Sequence, residues 1–190
     1  IFWGLTALHF LDKACIKEWQ KILIYWASGS VWNLAIQIAK KMWWEVTAVC
    51  SESNKDLVLG LWATEFIDYK NQDIEDIKGE YDIIYDTIWK ISFKKSAFLL
   101  KKDWIYVSND ARISDYFQLI TNSIFWWNKL ILWVANESIE NLTRLQNWFF
   151  SGWIKPQIDT IYKMNEIVKA HKHVESRHKK WDVIIDFSKK

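Results

Sequence analysis

The chain has 190 residues, 51% of them hydrophobic, with 25 Lys and Arg against 23 Asp and Glu. That length suits one domain, or one domain and part of another, and the apolar fraction suffices for a real core. A net charge of +2 with scattered lysines lacks the basic excess of a nucleic-acid protein, and no apolar run approaches the roughly 20 residues that span a bilayer.

GLTALHFLDKA, from Gly4, predicts a helix. KILIY from Lys21 predicts a buried strand, and VWNLAIQIAKK a helix. EVTAVC is a strand and NKDLVLGL a helix; EFIDY and YDIIYD are strands. SFKKSAFLL predicts a helix and WIYVSN a strand. SDYFQLITNSIF predicts a helix, KLILWVA a strand and SIENLTRLQNWFFSG a long helix. Continuous apolar strands alternating with helices indicate parallel strands buried on both faces. The expected fold is α/β, a doubly wound parallel Rossmann-type sheet of about six strands. The tail is surplus to that sheet. IKPQIDTIYKM reads as extended and holds the only proline, Pro156; MNEIVKAHKHVES reads as a helix and DVIIDF as a strand. It either extends the sheet or belongs to a neighbouring domain.

Cys15 and Cys50 lack metal-ligand spacing, so two buried or half-buried thiols in a reducing, cytoplasmic compartment are expected. His9, His171, His173 and His178 are expected at the surface, since His171 and His173 diverge on a helix and no zinc-ligand cluster appears. IFWGLTALHFLDKA has neither a basic n-region nor a small-residue cleavage site, so no signal peptide is expected. The chain starts without Met at a helix-like stretch and is expected to be a fragment.

The turn after the first strand, YWASGSVW, is the first candidate site. A dinucleotide fold needs small residues here, to turn sharply, approach a pyrophosphate and pack helix against strand. Ala27, Ser28, Gly29 and Ser30 are small, and Ser30 and Val31 offer backbone N–H groups at the helix start. The third small position holds Trp32, and Trp26 ends the strand. The alternative is a tight βα turn without a ligand. The second strand runs into VCSESNKD. Ser51, Ser53, Asn54 and Lys55 suit a ribose 2′-phosphate better than a free hydroxyl, with Glu52 as a countersignal. A polar helix N-cap accounts for the same residues equally well.

From these stretches, and from the tail IKPQIDTIYKMNEIVKAHKHVESRHKKWDVII, the chain resembles the medium-chain dehydrogenase/reductase superfamily. The nearest branch is the zeta-crystallin-like quinone oxidoreductases, or NAD(P)-dependent alcohol dehydrogenases. The resemblance implies a cofactor domain over residues 1–152 and a return segment over 153–190. That segment would complete a GroES-like catalytic domain whose N-terminal part is missing. It implies a phosphate turn at Ala27, Ser28, Gly29, Ser30, Val31 and Trp32, and a 2′-phosphate site at Ser51, Ser53 and Asn54, with Lys55 as the cation. It further implies Tyr69 near the adenosine phosphate, Arg177 as a basic residue before the last strand, and Asp86 and Thr87 facing the cofactor cleft. NADPH is expected over NADH, and no zinc. The implied reaction is hydride transfer to a quinone, enone or aldehyde-type small molecule. The catalytic residues are not legible. The resemblance implies a homodimer joined at the sheet edge around KLILWVA, and no membrane or nucleic-acid partner. Two rivals stay open: a non-catalytic nucleotide-binding or scaffold protein if the turn tryptophans are real, and another α/β enzyme such as a methyltransferase, which would lack the tail.

The chain holds 15 Trp and 5 Gly, where average usage gives roughly 13 Gly. The resembling family carries Gly at Trp19, Trp26, Trp32, Trp62, Trp89, Trp104, Trp153 and Trp181. Trp43 or Trp44 and the Trp126–Trp127 pair also fall in turns, and Trp148, on an amphipathic helix, reads as natural. A UGA codon that means glycine, translated as tryptophan, would produce this pattern. Most of these tryptophans are therefore expected to be glycines in the native protein.

Overall fold

The structure, a computed structural model, describes residues 2–14, 17–25, 30–87, 91, 93–108, 129–132, 138–176 and 181–188. In chain order these form α1 (Phe2–Ala14), β1 (Lys21–Tyr25), α2 (Ser30–Lys41), β2 (Glu45–Cys50) and α3 (Lys55–Gly60). Next come β3 (Glu65–Asp68), β4 (Tyr81–Asp86), α4 (Phe93–Ser96), β5 (Leu100–Ser108) and β6 (Lys129–Leu132). The described chain ends with α5 (Ile139–Phe150), β7 (Ile158–Lys163), α6 (Ile167–Glu175) and β8 (Asp182–Asp186). The helix expected over SDYFQLITNSIF lies outside the described residues.

β1 to β6 build one sheet in the order β3-β2-β1-β4-β5-β6. All five pairings are parallel. Side chains of a strand alternate between faces, and β1 divides accordingly. Ile22 and Ile24 enter one core layer with Phe10 of α1 and Ile36 of α2, while Leu23 enters the other with Ile74, Ile77 and Leu99. β4 does the same, sending Ile83 and Tyr85 to the first layer and Ile84 to the second. Such double-sided burial is why these strands read as unbroken apolar runs. The tail stays out of this sheet: β7 and β8 pair with each other, in parallel.

Two elements differ from expectation. The SFKKSAFLL helix ends at Ser96, passes through a short 3-10 turn and gives way to β5 at Leu100. Leu100 pairs with Tyr81 before the register slips, so backbone pairing with β4 takes over residues that helical periodicity would claim. His9, expected at the surface, is buried. Residues Gly4 through Leu11 of α1 are all buried, so this helix has no exposed face there.

Long-range polar contacts fasten the outer elements. Arg144 of α5 donates to both oxygens of Asp12 of α1, at 2.9 and 2.7 Å. Gln37 of α2, 1% exposed, clamps the start of the tail. Its Nε2 donates to the Lys155 carbonyl at 3.1 Å and its Oε1 accepts from the Lys155 N–H at 2.7 Å.

Three helices end in the same way. After α5, Gly152 N–H donates to Phe149 O and Trp153 N–H to Trp148 O, with Gly152 at φ +77°. After α2, Trp43 N–H donates to Lys40 O and Trp44 N–H to Ala39 O, with Trp43 at φ +63°. After α3, Trp62 N–H donates to Leu59 O and Ala63 N–H to Val58 O, with Trp62 at φ +72°. This is the Schellman termination, whose left-handed residue is ordinarily glycine. A Cβ there meets the following carbonyl, which costs about 1–2 kcal/mol. Trp43→Gly is therefore expected to raise the unfolding free energy by about 1 kcal/mol, and Gly152→Ala to lower it by about as much. A Cβ at Gly152 meets no neighbour within 4 Å, so only the backbone is probed. Denaturant melts of both variants check this, and equal stabilities for wild type and Trp43→Gly would contradict it.

Candidate functional site

The strand order reverses direction beside β1: the chain moves outward through β2 and β3, then returns to lay β4 on the other side. In open α/β sheets such a point opens a crevice at the carboxyl ends of the strands. Here the walls are the ends of β1 and β4. Thr87, just past β4, donates through Oγ1 to the Tyr25 carbonyl at 3.2 Å, and its N–H reaches the same oxygen at 3.5 Å. α2 begins at Ser30, past the end of β1, so its first backbone N–H groups stand at this edge. Val31 is half-buried. Trp32 is 1% exposed and packs in the core, and its indole N–H has no hydrogen-bond partner. Ala27, Ser28, Gly29 and Arg177 lie outside the described residues.

The polar residues after β2 do come together. Ser51 Oγ and Ser53 Oγ are 2.9 Å apart, and Asn54 Nδ2 lies 3.5 Å from Ser51 Oγ. Ser51 and Asn54 both hold helix N-cap positions, yet neither side chain caps its helix. These hydroxyls and this amide are thus not consumed by the backbone donors that an N-cap serves. Lys55 pairs with Glu52 at 3.2 Å, on the surface. Tyr69 follows β3, and its N–H donates to the Cys50 carbonyl at 3.2 Å, joining the end of β3 to that of β2.

Asp86 is fully buried, and its Oδ2 accepts from the Ile91 N–H at 3.1 Å. The Tyr106 hydroxyl stands 3.5 Å from the same oxygen and donates to the Ile91 carbonyl at 2.9 Å. This carboxylate ties Ile91 to the end of β4. Sequence reasoning passed over Tyr25, the last residue of β1. Burial, and then the charge of Asp86, push its phenol above the ordinary range, with Asp73, Tyr69 and Glu75 adding to it. A tyrosine closing the first strand was the available signal.

Elsewhere, the tail carries a small network. His173 of α6 lies 3.0 Å from the Tyr162 hydroxyl and 3.1 Å from an Asp159 oxygen, both on β7. His173 is half-buried rather than exposed, His171 is exposed as expected, and His178 lies outside the described residues. Among the described residues no group of three or more His, Cys, Asp or Glu side chains could hold a metal ion. No described helix is long and apolar enough to cross a membrane. A cavity of about 300 Å³ opens between α1, α2 and α5, lined largely by Leu34, Leu142, Leu145, Phe149 and Ile154. It is apolar and separate from the polar cluster after β2.

Comparison with known proteins finds likeness to dehydrogenases and reductases. A family model described as a zinc-binding dehydrogenase matches residues 61–185. The chain is 26% identical over 198 residues to a zinc-type alcohol dehydrogenase-like protein of Schizosaccharomyces pombe, covering 96% of this chain and 56% of that one. It is 26% identical over 185 residues to the 2-methylene-furan-3-one reductase of Solanum lycopersicum, covering 95% and 44% respectively. Among solved structures, a quinone oxidoreductase from Coxiella burnetii superposes with a TM-score of 0.84 at 25% identity, over 97% of this chain and 58% of that one. The chain thus spans about half the length of the curated relatives it matches.

Cys50 gives the site an internal probe. Burial first, then the charges of Asp68 and Glu52, push its thiol from 9.0 up to about 12. The folded chain keeps this proton where the unfolded chain has released it, so stability falls as pH rises from 9 toward 12. At pH 8 the Cys50 peptide is expected to stay unmodified by iodoacetamide in the folded protein and to react in denaturant. Peptide mass mapping reads this directly, and equal labelling in both states would contradict the burial of β2.

Proposed function

As the chain belongs to the zinc-binding dehydrogenase family, within the medium-chain dehydrogenase/reductase superfamily, we propose that it is the cofactor-binding part of an NADPH-dependent reductase acting on a quinone, enone or aldehyde. The carrying observation is the uncommitted polar cluster of Ser51, Ser53 and Asn54 at the end of β2, beside a crevice formed by strand reversal. Relatives named as NAD(P)H oxidoreductases and as an NADPH-dependent alkenal/one oxidoreductase support the same chemistry.

A nicotinamide dinucleotide supplies a hydride when bound; the protein binds and orients it. The first N–H groups of α2, at Ser30 and Val31, suit a pyrophosphate, since a helix start favours anions. Ser51 and Ser53 hydroxyls and the Asn54 amide suit a 2′-phosphate, and Lys55 supplies the countercharge once it exchanges Glu52 for phosphate. Tyr69 and Tyr25 border the adenosine side. Asp86 bonds Ile91 and lies beside Tyr106, on the nicotinamide side in this reading. Arg177 is assigned a supporting cationic role. Residues 153–190 belong in this reading to a catalytic domain completed by chain beyond this segment, and dimerisation across the β6 edge goes with it. Zinc takes no part in this proposal; among the described residues no three His, Cys, Asp or Glu side chains form a metal-ligand set.

A second reading has its own support. Trp32 fills the core at the first turn of α2, and a chain that keeps this indole would serve as a nucleotide-binding or scaffold protein without catalysis. Fluorescence titration of the gene product and of its Trp32→Gly variant with NADPH and NADH separates the two. The reductase reading expects NADPH to bind about tenfold or more tighter than NADH, with Ser53→Ala and Lys55→Ala each erasing about tenfold of that preference. Equal affinities would remove the 2′-phosphate site, and no binding by either form would remove the reductase.

A further inference from the structure

Among the described residues, three non-glycine positions have positive φ, and all three are tryptophan: Trp19 at +66°, Trp43 at +63° and Trp62 at +72°. Left-handed backbone outside glycine falls mostly to Asn and Asp, whose short side chains bond locally. Neither occupies any such position here. Nor does burial offset the strain, since Trp19, Trp43 and Trp62 are among the exposed large hydrophobics. The two Schellman ends that carry tryptophan repeat the hydrogen bonds of the one that carries Gly152. Trp19 makes a fourth tight turn, with its N–H donated to the Trp43 carbonyl at 2.9 Å.

A different environment shows the same substitution. Trp32 is buried where helix and strand pack, and its indole N–H finds no acceptor. A buried donor left unmade is costly. Exposed turns and a buried helix start share no selective reason for the largest side chain. They share a requirement for the smallest. Trp44, next to Trp43, is the instructive contrast: it packs in the core as Trp32 does, at 3% exposed, but its indole N–H is not an unmet buried donor and its backbone is not left-handed. Trp148, half-buried with the Arg144 guanidinium 4.8 Å above its ring, likewise has a packing role.

We infer that the native protein carries glycine at positions 19, 32, 43 and 62, because the organism reads UGA as glycine where this sequence has tryptophan. One codon meaning accounts for the excess of 15 Trp and the shortage of Gly together. Gly152 and the other written glycines then come from ordinary glycine codons, and Trp44 and Trp148 from UGG. For positions 19, 43 and 62 the inference rests on backbone geometry and stands whether or not the reductase reading does; for position 32 it also rests on that reading. In that native form the first turn of α2 carries no indole.

The test reads the codons for these four positions in the source gene and the masses of the corresponding peptides from protein isolated from the source cells. The expected result is UGA at positions 19, 32, 43 and 62, with each peptide lighter by the difference between a tryptophan and a glycine residue. UGG at any of the four overturns the inference, and so do UGA codons whose peptides carry the tryptophan mass. As a physical check on recombinant protein, Trp62→Gly is expected to raise Tm by about 2–4 °C. A lowered Tm would count against glycine at that turn.

Discussion

The rest of the structure depends on β1 being enclosed on both faces and both edges. β2 pairs along one edge and β4 along the other. α1 and α2 cover one face, and the 3-10 turn around Ile74 to Asp76, with Ile91, Phe93 and Leu99, covers the other. A strand in that position has no room for a polar side chain. Its middle must be apolar, as Ile22, Leu23 and Ile24 are, each fully buried. Right-handed crossovers then carry the chain to opposite sides of it, and the crevice at its carboxyl end follows from topology alone. No special residue is needed to open that crevice. Residues are needed only to decide what binds there.

That division explains what was legible in the sequence. KILIY, EVTAVC and YDIIYD announced their strands because burial on both faces leaves no alternation to misread. The parallel sheet followed from them, while the order β3-β2-β1-β4-β5-β6 is seen only in the structure. SFKKSAFLL was less legible, because Leu100 serves β5 by pairing with Tyr81, a partner that no local pattern reveals. His9 was misplaced for a similar reason. Its neighbours look amphipathic locally, but α1 is packed between α2 and α5, with contacts also to the ends of β5 and β6.

The candidate site was legible by residue type and much less by arrangement. Ser51, Ser53 and Asn54 stood out as polar groups after a buried strand, and the structure brings them within hydrogen-bonding range. Their freedom from capping could not be read from sequence, since the same residues make good N-caps. Asp86 was legible as the residue that ends β4, whereas its bond to Ile91, five residues on, was not. Gln37 was invisible as a clamp because its partner, Lys155, is 118 residues away. Contacts of that range are decided by the assembled fold.

The backbone also converts an oddity of composition into a statement about geometry. Two helix ends and one tight turn take left-handed conformations that favour glycine. The same smallness at the start of α2 lets a phosphate approach a helix N-terminus. Turn geometry and ligand geometry are therefore two consequences of one requirement. The central claim, that the crevice at the ends of β1 and β4 holds a dinucleotide, is tested most directly by a crystal structure of the gene product with NADPH. The account predicts the pyrophosphate against the Ser30 and Val31 N–H groups and the 2′-phosphate among Ser51, Ser53 and Asn54. A nucleotide seated instead in the apolar cavity between α1, α2 and α5 would contradict it.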